Sequence, residues 1–378
     1  MGLAAPSFTV GIEEEYLLVH RDSRDLVADP PPELMEEYRR LLDKQVAPEF
    51  LRSQVEIGTK VGANITEAGT DLRRLRSGVI EVADKYGFAV IAASTHPFAE
   101  WVDQKHTDHE RYNALERDLQ TVVRRLLICG MHVHVGLNDD DLRIDLMGQA
   151  AYFLPHLLAL STSSPFWHGV NTGLKSYRLT VFDALPRTGL PEHFSSWGEY
   201  QRHVDVLISA GLIEDATKIW WDLRPSARYP TLEMRMTDIC TRAEDTVTIA
   251  ALFQAILHML YRRRVNNQRW RSYANMLVKE NRWRAQRYGM EEGLMDFGKG
   301  ELVPFSQLTD ELLEVTARDV EVLGSGAEVE NAREILKRGT SADRQLDVYK
   351  ASLDAGADEP RALCNVVDWL IEETKVGL

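Results

Sequence analysis

The sequence predicts an α+β fold with a helical C-terminal portion. Three observations lead there. Strand-like runs of β-branched and aromatic residues alternate with amphipathic stretches through the first half. The second half is richer in helix, and beyond about residue 300 only helices and turns are read, with breaks at "GSG" and "AGADEP". No repeat, low-complexity tract or linker divides the 378 residues, so one domain spanning 1–378 is expected.

The elements follow in order. "FTVGIEEEYLLV" is a strand by its β-branched and aromatic content, and "LRSQVEIGT" is a second. In "ITEAGTDLRRLRSGVIEVADKYG", Leu72, Leu75, Val79 and Val82 recur at helical spacing and Gly87 closes the helix. "FAVIAAST" is a buried strand. A charged helix runs from about Asp108 to Ile128, stopped by Gly130, and "MHVHVGL" is the next strand. "DLMGQAAYFLPHLLALS" is a helix leading into the loop "TSSPFWHGVNTGLKS". Arg178 falls in a strand-like run and Arg187 in the turn after it; "SWGEYQRHVDVLIS", with His203, is helical. "PTLEMRMTDI" is a strand. "TRAEDTVTIAALFQAILHMLYRRR" is a helix opened by a capping box of Thr241 and Glu244.

Composition excludes several classes. A net charge of −14 argues against a nucleic-acid partner. The longest apolar stretch is interrupted by Gln254 and His258 and is too short for a membrane span. "MGLAAPSF" lacks the basic and apolar regions of a signal peptide, and Pro6 breaks a myristoylation pattern. Asn64 in "NIT" has meaning as a glycosylation acceptor only in a secreted chain. Three scattered cysteines give neither a disulfide framework nor zinc spacing. A cytoplasmic protein is expected.

The chemistry lies on four strands. Side chains alternate faces with period two. Glu13 and Glu15 therefore share a face with Gly11, opposite Ile12, Glu14 and Tyr16. Glu56 stands between Val55 and Ile57. His132 and His134 share one face, away from Met131, Val133 and Val135. Glu233 and Arg235 emerge opposite Leu232, Met234 and Met236. Taken singly, each has a plain alternative: a solvated strand face, ordinary half-buried histidines, a cross-strand ion pair. Four such strands together point to one sheet whose polar face holds metal. Mostly oxygen donors with one or two imidazoles favour Mg²⁺ or Mn²⁺ over zinc. Clustered carboxylates with hard cations are the usual means of holding a nucleoside triphosphate. No Walker A or Gly-rich dinucleotide pattern appears, and "DFG" at Asp296–Gly298 has no catalytic loop before it. Arg178, Arg187, Arg224, Arg284 and Arg287 supply planar forks for carboxylate or phosphate.

"GIEEEYLLV", "SQVEIGT", "STHPFAEW", "GMHVHVGL", "WDLRPS" with "YPTLEMRMTD", and "ENRWRAQRYG" together resemble the bacterial carboxylate-amine ligase family, the second type of glutamate–cysteine ligase, in the glutamine synthetase superfamily. The motifs fall in order between about residues 8 and 370. The resemblance implies a curved antiparallel sheet forming a funnel, flanked by helices. ATP would enter one end and the acid the other, with two or three Mg²⁺ between. It implies Glu13, Glu15, Glu56, His132 and Glu233 as metal ligands, His134 near the ATP phosphates, and Arg235 on the transferring phosphoryl group. Glu56, His134 and Arg235 would stand nearest the chemistry. Arg178 and Arg224 would hold carboxylates or phosphates and Arg284 the nucleotide; Asn281 and Arg287 match a motif without an assigned role. Small-molecule substrates and a homodimer are expected. The reaction would join glutamate to an amine, cysteine foremost, through an acyl phosphate. Two other readings remain at this stage: a metal-dependent amidohydrolase, and a non-catalytic relative that binds ATP or an amino acid.

Overall fold

The computed structural model describes residues 5–378. The part of the N-terminal reading that falls on residues 1–4 lies outside them. Seven strands form the main sheet: β1 (Val10–His20), β2 (Val46–Pro48), β3 (Gln54–Gly58), β4 (Phe88–Ile91), β5 (Met131–Gly136), β6 (Leu223–Pro225) and β7 (Thr231–Met234). Their spatial order is β6-β7-β5-β1-β3-β2, with β4 on the C-terminal half of β1, and every pairing is antiparallel. β1 is central because it is long enough to hold three partners. Its burial alternates as the sequence predicts: Ile12, Glu14 and Tyr16 are buried, while Gly11, Glu13 and Glu15 are half-buried on the opposite face.

The buried face packs on two long helices, Ile65–Lys85 and Ala243–Val265. Asn64, the residue of the "NIT" pattern, caps the first of these by accepting a 2.9 Å bond from the Glu67 amide. Within this apolar layer sits one ion pair, between Glu14 and Arg76, both without solvent exposure. Glu14 accepts from Arg76 Nη2 at 2.5 Å and Nε at 3.2 Å, from Thr246 Oγ1 at 2.6 Å, and from the Tyr16 hydroxyl. Arg76 also donates to the carbonyls of Thr241 (2.6 Å) and Cys240 (3.1 Å). Every strong hydrogen-bonding group is thus paired, which is what a buried charge requires.

Four helices, Phe305–Leu323, Gly326–Arg338, Ser341–Asp354 and Glu359–Glu373, complete the C-terminal portion. The last packs on β4, and Thr374 Oγ1 receives the Ala92 amide at 3.0 Å. Arg24 reaches Asp368 at 2.8 Å, so the two ends of the chain are tied together. Among the described residues no helix is long and apolar enough to cross a membrane.

Several local expectations are corrected. The predicted 108–128 helix is two pieces, Glu110–Leu119 and Thr121–Arg124, broken at Gln120, whose φ is 49°. The "DLMGQAAYFLPHLLALS" helix is also split, at Ala151–Phe153, ahead of Pro155. Arg178 opens a short helix, Arg178–Phe182, rather than a strand. The capping box at Thr241 does not form. Thr241 Oγ1 donates to Ala92 O at 2.7 Å, and the helix starts at Ala243 with no side-chain cap. A capping box forms instead at Thr340 with Asp343. Asp296 of "DFG" accepts from the Gly298 and Lys299 amides in the turn of a small hairpin, Leu294–Asp296 with Glu301–Val303.

Candidate active site

Residues opposite one another in antiparallel strands share a face, and the register of the sheet composes the site. Glu13 opposes His132 on β5 and Gly58 on β3. Glu15 opposes Glu56. Gly11 opposes His134, His134 opposes Glu233, and Glu233 opposes Arg224. These acidic, histidine and arginine side chains line one cavity of about 390 Å³ with Arg178 and Arg235. Nine of the sequence-predicted residues are therefore brought together: Glu13, Glu15, Glu56, His132, His134, Arg178, Arg224, Glu233 and Arg235.

Four others are not. Arg284 donates to the carbonyls of Gly293 (3.1 Å) and Glu292 (2.9 Å), away from the cavity. Asn281 exchanges two 2.8 Å bonds with the Met295 backbone, fixing the helix to the small hairpin. Arg287 lies over the Tyr288 ring. Their unread neighbour Arg282 is the buried arginine of that motif, forking onto Asp222 and Asp183. Arg187 donates to Lys218 O and stacks on Trp220.

Charge is graded across the cavity. Among the described residues, two sets of potential ligand atoms lie within 4.8 Å of one another: Glu13, Glu56 and His132; and Glu15, Glu49 and Glu56. Burial, then the Glu49 charge, pushes Glu15 up to about 8 despite Arg178. Burial and the charges of Glu49, Glu13 and Glu15 push Glu56 well above the usual carboxylate range. Burial opposes ionisation of Glu13 as well, but hydrogen bonds and charge from His132 and His134 outweigh it and hold this carboxyl low. Burial and the nearby Arg235 push His132 down to about 4, leaving a neutral ring. His134 goes the other way: burial opposes protonation, but Glu13 and Glu233 overcome it and raise its pKa. One imidazole is thus suited to a metal and its neighbour to an anion.

The donor set fits a hard divalent cation. Carboxylates crowded this closely repel one another unless a cation or protons intervene. His132 Nδ1 lies 3.1 Å from Glu13 Oε2, which leaves its other nitrogen for a ligand. At the arginine side, Arg178 Nε and Arg235 Nε are buried without a hydrogen-bond partner, and His134 Nε2 has Glu13 Oε1 at 3.5 Å. Glu233 is forked by Arg224 at 3.0 and 3.1 Å and also pairs with Arg235. The expected ligand role of Glu233 thus requires it to exchange arginines for a cation.

Glu49 escaped the sequence reading because the three-residue β2 before it was not read as a strand. The signal was the acid in "VAPEF", seven residues before Glu56. Gly130 was read only as a helix stop. Its amide donates to Glu15 at 2.6 Å, and a Cβ there would lie 2.3 Å from Arg178 Nη2. Gly130→Ala is expected to displace Arg178 and lower kcat/KM about tenfold to a hundredfold with the fold kept. Unchanged kinetics would mean that the Arg178 position is immaterial. His132→Ala is expected to cost far more activity than His203→Ala, since His203 is exposed on the Trp197–Ser209 helix and bonds the Glu199 carbonyl one turn back at 2.8 Å. Small, equal losses would mark the histidine pair on β5 as packing.

The chain matches known proteins in sequence and in fold. The family model for glutamate–cysteine ligase family 2 matches residues 9–364. A protein of Rhodospirillum rubrum provisionally named glutamate–cysteine ligase 2 is 62% identical over 377 residues, covering 99% of this chain and 97% of its own. A Ruegeria pomeroyi protein of the same provisional name is 54% identical, covering 100% and 97%. Among solved structures, a glutamate–cysteine ligase of Francisella tularensis in complex with AMP has a TM-score of 0.67 at 12% identity, covering 97% of this chain and 89% of that one. A bifunctional glutathione synthetase of Pasteurella multocida also gives 0.67, at 16% identity; the match covers 97% of this chain but only 52% of that protein, so the chain spans about half its length. At these identities the structural likeness concerns the fold.

Proposed function

This chain belongs to glutamate–cysteine ligase family 2, which makes it an ATP-dependent ligase, and we propose that it joins the side-chain carboxylate of glutamate to an amine through an acyl phosphate, with cysteine as the amine that the family description names. The observation that carries the reading is the single row of opposed side chains across the sheet. It runs from two carboxylate clusters, through a neutral and a cation-prone histidine, to arginines with unpartnered donors.

Glu13, Glu15, Glu49, Glu56 and His132 would hold Mg²⁺ or Mn²⁺. Bound there, the cations supply neutralisation of the triphosphate and of the charge developing on the transferred group. The chain's own residues do the positioning. Arg235, with its unpaired Nε, and the cation-prone His134 would face the phosphoryl oxygens. Arg178 offers its Nε to substrate carboxylate. Arg224 is already spent on Glu233 and on the carbonyls of Thr217 and Ile219, so it aligns Glu233 and, through it, Arg235. The glutamate carboxylate attacks the γ-phosphorus, and ADP departs. The amine then attacks the acyl carbon, phosphate departs, and a proton is released. Because triphosphate and carboxylate repel each other, holding both together is most of the catalysis.

The test uses ATP, Mg²⁺, glutamate and hydroxylamine as a small surrogate amine. γ-Glutamyl hydroxamate with an equal amount of ADP is the expected product. AMP and pyrophosphate would overturn the acyl phosphate, because they report an acyl adenylate. Hydroxamate from other acids but not from glutamate would retain the chemistry and replace the acid.

A further inference from the structure

The motif "ENRWRAQRYG" contributes no side chain to the cavity, yet its buried face is fastened to the elements that carry two of the cavity's arginines. Arg282 and Gln286 lie one turn apart on the Asn275–Tyr288 helix, and both are buried. Arg282 spreads one guanidinium over two acids. Its Nε and Nη2 reach Asp222 at 2.8 and 3.2 Å, and its Nη1 and Nη2 reach Asp183 at 2.7 and 2.8 Å. Gln286 Nε2 donates to Thr180 Oγ1 at 2.8 Å, and the Gln286 carbonyl accepts from the Lys175 and Ser176 amides at 2.9 and 3.1 Å.

Both acids lead to the site. Asp222 immediately precedes β6, and its carbonyl accepts the Arg235 amide at 2.8 Å. Asp183 ends the Arg178–Phe182 helix, where the Arg178 guanidinium lies 5.3 Å from the Phe182 ring centre. The circuit closes at that guanidinium, whose Nη1 and Nη2 donate to Arg235 O at 3.3 Å. The two sides are not equally firm. Asp222 and Arg235 flank strands held by the sheet's ladder, whereas the Arg178 helix has five residues and no side-chain cap at its start. The helix is the side that moves if the bridge is cut. A buried arginine shared by carboxylates adds little net stability over a well-packed apolar replacement, because desolvation consumes the Coulomb gain. What it fixes is geometry: a planar fork matches two carboxylates at once, and a lysine does not.

Resting on the ligase reading above, we infer that Arg282 is a positioning residue for the reaction, mounting the Arg178 helix at a fixed distance from Arg235. The full-length enzyme is assayed with ATP, Mg²⁺, glutamate and hydroxylamine, as wild type, Arg282→Lys, Arg178→Lys and the double variant. Arg282→Lys is expected to lower kcat/KM for glutamate about tenfold to a hundredfold. Because the loss runs through Arg178, the double variant should fall within about twofold of Arg178→Lys alone. Asp183→Asn keeps the size of a side chain that is 36% exposed and leaves the Arg282–Asp222 pair in place, so it loosens the helix side only. It is expected to cost about tenfold and to show the same non-additivity with Arg178→Lys. Thermal melts report folding, and Asp183→Asn decides the question if Arg282→Lys does not fold. Unchanged kinetics in the folded variants would overturn the inference. So would losses that multiply with that of Arg178→Lys, since the bridge would then act on the fold and not on Arg178. Failure of the ligase reading is recognised separately, by a wild type that forms no hydroxamate, and would remove the inference with it.

Discussion

Glu56→Gln is expected to reduce ATP turnover on the order of a thousandfold while leaving the sheet folded. Glu56 lies between both carboxylate sets, so its loss removes a shared donor from each. The fold should persist because this carboxyl is already destabilised, first by burial and then by Glu49, Glu13 and Glu15. A neutral amide of the same size relieves that repulsion. Thermal melts separate the two effects. Wild type should gain stability with Mg²⁺ and ATP, as a ligand that binds only the native state requires. The variant should melt near the ligand-free wild type and gain little. Normal turnover in Glu56→Gln would remove the metal assignment. Glu13→Gln should lose activity likewise, but at some cost in stability, because Glu13 also bonds His132.

Arg76→Met is expected to destabilise the fold by about 3–5 kcal/mol, because it leaves the Glu14 carboxylate buried without its charge partner. Thr246 and Tyr16 would still donate to Glu14, but neither carries charge. Arg76→Met combined with Glu14→Gln should recover part of the loss, since the uncompensated charge is gone. Denaturant titration of the wild type, both single variants and the double variant measures the coupling. A loss below about 1 kcal/mol for Arg76→Met would mean that water reaches Glu14 once the arginine is removed.

The polar face of the sheet was legible because period-two alternation needs no tertiary information. Given a strand at "VGIEEEYLLV", Glu13 and Glu15 must share a side, and the same holds for His132 with His134 and Glu233 with Arg235. What joins strands was not legible. The opposition of Glu15 to Glu56, and of His134 to Glu233, is a property of register. Glu14 was placed correctly on the other face, but its partner was hidden. Arg76 stands in "LRRLRSG" beside Arg73 and Arg74 and reads as one more surface arginine, yet it alone of the three is without exposure. Short elements failed for a related reason. β2 and β6 are each three residues long and exist through their neighbours, so Glu49 and the strand setting of Arg224 went unread. The false capping box shows tertiary override: Ala92 O offers the Thr241 hydroxyl a better partner than the helix start does.

The long central strand also bears on how the chain is made. β1 is synthesised well before its partner β5, which begins more than a hundred residues later, and β7, which flanks β5, begins nearly another hundred on. At about 5–20 residues per second, β1 waits on the order of ten seconds for β5. During that interval it is an apolar edge at risk of pairing with the same segment of a neighbouring nascent chain. Its three consecutive glutamates begin without partners, because Arg76 and then His132 are made later. Like charges stacked in register disfavour such pairing. The residues that equip the finished cavity would thus also guard the unfinished chain, and neutralising them should show first as a loss of soluble yield at high expression rate.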